Sequence, residues 1–170
     1  MTDLLPAYTL IRAAALGDGP MPFDRVVLSH DERFLRRKRL VTVHDEGFMV
    51  DLEETVSLHQ GDCFELMDGR RIEVIAAEEP VLVVTGDLAR LAWHIGNRHT
   101  PCQIEPERLL IRQDHVLDAM LRQLGAKVEA RWEPFQPEGG AYGHGRTMGH
   151  DHGPAGHFAL APLVKPFGAR

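Results

Sequence analysis

Between residues 23 and 76 short apolar runs alternate with polar positions and are cut at close intervals by turn residues. RVVLS, RLVTV, GFMVDL, CFELM and RIEVIAA each have the length and period-two alternation of a strand with one buried face, which predicts an all-β first domain. Between FELM and RRIEV stand Asp68 and Gly69, and the pair predicts a two-residue hairpin turn with both residues at positive φ. Gln60-Gly61-Asp62 marks another turn. The run AAEEP at 76 to 80 puts charge and a proline between two apolar strands, so the domain boundary is expected there.

Beyond it the period changes. VLVV reads as a strand, and Asp87 is placed to cap a helix whose apolar positions Leu88, Leu91, Ala92 and Ile95 recur at helical spacing. Pro101 disfavours helix at Thr100. CQIE and LLIR form two short strands around Pro106 and Glu107. Asp114 caps a second helix with Leu117, Met120, Leu121 and Leu124 on one face, stopped by Gly125. In AKVEARW, Ala126, Val128, Ala130 and Trp132 alternate with charged residues, as a strand with one buried face requires. The order βαββαβ is that of a ferredoxin-like fold. After Phe135 the chain turns to Gly, His and Pro, with too few large apolar side chains to build a core, so a flexible tail is expected. The expected class is α+β: a β-rich domain over 1–76, a ferredoxin-like domain over 77–137 and a histidine-containing tail over 138–170.

Composition narrows the function. Nineteen Lys and Arg against twenty-five Asp and Glu leave a net charge of -6, which repels a phosphate backbone and argues against nucleic acid as a partner. The N-terminal stretch has no basic segment before its apolar residues and is interrupted well short of a membrane span, so a cytoplasmic protein with no membrane partner is expected. Cys63 and Cys102 form no Cys-x-x-Cys pair and read as packed thiols. No phosphate-cradling G-x-x-x-x-G-K-[ST] loop, H-E-x-x-H helix or G-x-S-x-G elbow is present, and the neighbouring carboxylates Glu53 with Glu54 and Glu78 with Glu79 point to opposite faces of a strand. An enzyme is not expected.

The histidines are the positive signal. Four of the ten, His144, His150, His152 and His157, crowd into a glycine-rich stretch that can fold several imidazoles around one ion, with Asp151 able to add an oxygen. A solubilising tail is the plainer reading; an expression tag is a consecutive run, unlike HGRTMGHDHGPAGH. His94 and His99 are five residues apart, so at about 100° per residue one regular helix cannot aim both at a single ion. If the helix runs through Gly96 and Asn97, His99 continues the apolar stripe and His94 leaves it. By spacing alone His99 is then a packing residue, but in a two-fold dimer one histidine per chain supplies two ligands. His115 opens the second helix, where the dipole slightly favours the neutral, metal-competent imidazole, and it reads equally as a surface residue. His30, His44 and His59 have no ligand spacing, and the run Arg36-Arg37-Lys38-Arg39 reads as a solvated face or a docking patch.

HIGNRHTPCQI, followed by RQDHVLDAMLRQLG and then FQPEGGAYGHG with a histidine-bearing tail, resembles the UreE family of urease accessory proteins. The likeness runs from about Leu88 to Tyr142, with support from LMDGRRIEVIAAEEPVLVV in the first domain. It implies a partner-engaging β domain, a ferredoxin-like domain that binds metal and forms a homodimer, and a tail that raises metal capacity. It further implies that His99, the second histidine of H-x-G-N-R-H, is the nickel ligand shared between subunits, and that His94 and His115 join peripheral sites. Gln113 stands where some members carry a further histidine, which weakens the case for a two-histidine site at that strand end. The resemblance implies Ni(II) as cargo, carried with an accessory GTPase and other accessory proteins to urease apoprotein. Ligand chemistry alone does not select nickel, because Zn(II) and Cu(II) use the same imidazoles. The rival reading is an assembly scaffold for a metalloenzyme, with incidental histidines.

Overall fold

The computed structural model describes residues 4–139. Its first part is a six-stranded sheet of β1 (Leu5–Ile11), β2 (Asp24–Leu28), β3 (Phe34–Val41), β4 (Gly47–Ser57), β5 (Cys63–Leu66) and β6 (Arg71–Ala76), in the order β2-β6-β5-β1-β4-β3. β1 pairs in parallel with β4 and antiparallel with β5, so it lies inside the sheet. Sequence patterning starts the strands only at residue 23 and misses it. Pro6 interrupts its alternation, a register shift separates Ala7 from Thr9, and Ala7 is its single fully buried residue. Phe48 and Phe64 meet at 5.7 Å in a core completed by residues such as Val50, Ile72 and Val74.

Two local expectations are corrected. The third strand covers 34–41 rather than RLVTV, and it takes the basic run into itself. β3 is an edge strand, where charged side chains reach water from either face, and Arg36, Arg37, Lys38 and Arg39 are all exposed. At the β5–β6 hairpin only Gly69 has positive φ, at +84°; Asp68 does not. The Gly69 N–H donates to Leu66 O and the Leu66 N–H to Arg70 O, which closes a three-residue loop with glycine at its left-handed position.

The second part is β7 (Glu78–Thr85), α1 (Leu88–Asn97), β8 (Gln103–Ile104), β9 (Leu109–Arg112), α2 (His115–Gln123) and β10 (Lys127–Pro134), with an antiparallel sheet in the order β10-β7-β9-β8. That is the ferredoxin-like arrangement the element order predicts. Asp87 accepts the Arg90 N–H, and Asp114 accepts those of Val116 and Leu117, so both helices start where their caps place them. Leu91 and Ile95 of α1 and Leu117 and Leu121 of α2 bury against Leu82, Val84, Leu109, Ile111 and Val128. β10 departs from expectation: Val128 is buried, but Ala130 is exposed and Trp132 is 68% exposed. β10 is the sheet edge, and the helix layer covers it only around Val128.

The other face of this sheet packs toward the first. Phe135, the last large apolar residue before the composition changes, is fully buried against Val81, Val83 and Leu110. The His30 ring meets Phe135 edge-on at 5.4 Å, and the buried Arg33 guanidinium donates to the Phe135 carbonyl. With helices on one side and Phe135 on the other, all of VLVV is buried, the condition under which a strand reads as an unbroken apolar run. No helix among the described residues is long and apolar enough to cross a membrane.

Candidate metal centre

α1 ends at Asn97. Arg98 caps it, donating to Ile95 O and Gly96 O, and the His99 N–H donates to Gly96 O at 2.9 Å. His99 itself lies in the left-handed region at φ +53°, a position usually taken by glycine or asparagine. The expectation that His99 continues the apolar stripe therefore fails. Gly96 and Asn97 are weak helix formers, and Pro101 holds Thr100 out of helical geometry, so the backbone turns left-handed and the imidazole leaves the stripe for an exposed position.

His99 lines an open groove of about 520 Å³ together with Thr100, Pro101 and a facing wall from β7, the end of β9 and the start of α2. That wall carries Glu79, Arg112, Gln113 and Asp114. The backbone N–H of Leu117 holds the Asp114 carboxyl below its ordinary value against the opposing effect of burial, and Val116 adds to the same direction, so Asp114 is anionic at neutral pH. Glu79 Oε2 accepts the His30 N–H at 2.5 Å, and Arg112 Nη1 reaches Asp31 Oδ2 at 2.9 Å.

His94 is half-buried in the last turn of α1, its ring edge-on to Trp93 at 5.0 Å, and is not part of the groove lining. His115 is the exposed first residue of α2, next to Asp114 but likewise outside that lining. His144, His150, His152 and His157 lie outside the described residues. Of the remaining histidines, His44 Nδ1 bonds the buried Asp24 at 2.8 Å and the His59 N–H donates to Asp62. Burial pushes the Cys63 thiol up and the Cys102 thiol to about 11, so both are protonated near neutral pH when no metal is bound. Among the described residues no three His, Cys, Asp or Glu side chains converge as a ligand set.

Two groove residues escaped sequence reading. In sequence Glu79 is only a neighbour of Glu78, and Arg112 only the end of LLIR; both line the groove because β7 and β9 pair there, with Val81 opposite Arg112.

Family comparison accounts for both parts of the chain. The UreE urease accessory protein N-terminal domain matches residues 2–77, and the UreE urease accessory protein C-terminal domain matches 79–159. The chain belongs to the UreE family. Relatives agree over most of their length. The urease accessory protein UreE of Cereibacter sphaeroides is 69% identical over 156 residues, 91% of this chain and 84% of that protein. The protein of the same name from Rhodobacter capsulatus is 68% identical over 131 residues, 77% of this chain and 84% of the relative, and that from Ruegeria pomeroyi is 68% identical over 130, 76% and 87% respectively.

Proposed function

We propose that this UreE-family protein is a cytoplasmic carrier with no catalytic site of its own, a homodimer that holds Ni(II) between paired His99 side chains and delivers it through the accessory GTPase and its companions to urease apoprotein. The observation that carries this reading is the placement of His99. It stands exposed at a groove rim on a strained backbone, while the described residues assemble no three-ligand cluster around any ion. A second copy, bringing its own His99 across a two-fold axis, or the histidines of the tail supply the further ligands in this reading. Imidazole ligands from an open rim allow stepwise exchange to a partner, as a closed tetrahedral site would not. Residues 1–76 serve as the partner-engaging part, 77–137 dimerise, and the tail histidines with His94 and His115 are auxiliary ligands. Zn(II) and Cu(II) compete for the same imidazoles.

The test is nickel calorimetry on the full chain, a truncation after Gly140 and His99→Ala. One tight nickel per dimer kept by the truncation and lost by His99→Ala supports the interfacial carrier. Equal binding by all three, or no tight binding at all, removes His99 from the role and leaves the scaffold reading.

A further inference from the structure

We propose that Asp31, in the first part of the chain, is a positioning residue for the metal groove of the second: it holds the Arg112 guanidinium back from the ion at His99, and giving up Arg112 weakens the hold on that ion. The inference deepens the carrier reading and rests on it.

Arg112 ends β9 and shares the groove with His99, and its Nη1 meets Asp31 Oδ2 at 2.9 Å. The adjacent residue of the same β2–β3 segment, His30, gives its backbone N–H to Glu79, an anion of the groove wall. Two oppositely charged wall residues, from different strands of the second sheet, are thus held by consecutive residues of the turn between β2 and β3. The two grips differ in strength. His30 is anchored by its ring contact with the buried Phe135, whereas the Asp31–Arg112 pair has side chains 60% and 44% exposed. An exposed ion pair contributes little to stability, so this one can be exchanged for another partner without unfolding the joint around Phe135.

Among the described residues that line the groove, Arg112 is the one Lys or Arg, alongside the anions Glu79 and Asp114. While Asp31 neutralises it, the wall presents net negative charge to a divalent ion. Freed from Asp31, the guanidinium is drawn toward Asp114 and Glu79 and cancels the attraction they offer. A unit charge moved by several ångströms beside a divalent ion in a partly solvated groove changes affinity by about three- to tenfold.

The experiment measures nickel affinity by calorimetry on the full chain for Asp31→Asn, Arg112→Gln, the double variant and His99→Ala, with thermal melts to show that each is folded. Asp31→Asn is expected to bind about three- to tenfold more weakly, Arg112→Gln at least as tightly as the parent, and the double variant like Arg112→Gln. The Asp31→Asn deficit should shrink in added salt. Parental affinity in Asp31→Asn, or a double variant as weak as Asp31→Asn alone, overturns the inference, the second because Asp31 would then act without Arg112. If His99→Ala still binds nickel tightly, the carrier reading falls first and takes the inference with it; if His99→Ala loses it and Asp31→Asn does not weaken, the inference alone is lost.

Discussion

His99 carries a backbone cost. At φ +53° a β-carbon crowds the following carbonyl, by about 1–2 kcal/mol for a residue other than glycine. His99→Gly is therefore expected to raise the stability of the α1 end by about 1 kcal/mol in urea denaturation while abolishing tight nickel binding. Stability and binding moving together would mean that the imidazole is structural. Asp24 is the opposite case, 5% exposed and tied to the chain by hydrogen bonds. Burial raises its carboxyl, but Thr42, His44 and the Arg25 N–H outweigh burial and set it below its ordinary value. A lowered folded-state value stabilises the fold above about pH 3.9, and the contribution is lost as pH falls through the lowered value. Asp24→Ala, which leaves those donors without their acceptor, should cost about 1–3 kcal/mol at pH 7. Its deficit against the parent should narrow below about pH 4, as denaturation across a pH series would show.

At the scale of elements, the helices were legible because their signals are local. Asp87 and Asp114 cap at positions readable from neighbours, and the buried faces of α1 and α2 are the apolar stripes themselves. Turns were less so, since Asp-Gly fits more than one loop length, and the register of β5 against β6 selects among them. Within this hairpin only Gly69 takes the left-handed backbone, and nothing stands within 4 Å of where its β-carbon would lie. Gly69→Ala should then cost about 1–2 kcal/mol by backbone strain alone, measurable by urea titration. A neutral Gly69→Ala would contradict the three-residue loop. β1 and β10 show the converse limit: alternation reports a face, but whether that face is covered depends on which element the chain brings over it. Ala7 is covered by the sheet interior, while Ala130 and Trp132 are not covered by the helices.

For the whole molecule the decisive contact is Phe135, closing the sheet face that the helices leave open. Phe135→Ala removes a fully buried ring from between Val81, Val83, Leu110 and His30, and a loss of about 3–5 kcal/mol is expected by chemical denaturation. A loss under 1 kcal/mol would mean that this face is already solvated. By itself the sequence determined the α+β class, the βαββαβ order, both helix caps and the motif that carries the family, because each depends on residues a few positions apart. Only the tertiary structure decided that β1 enters the middle of the sheet, that Phe135 belongs to the core, and that His99 faces Glu79, Arg112 and Asp114 across one groove. Those relations join residues tens of positions apart, and no local period encodes which distant surface will cover a given face.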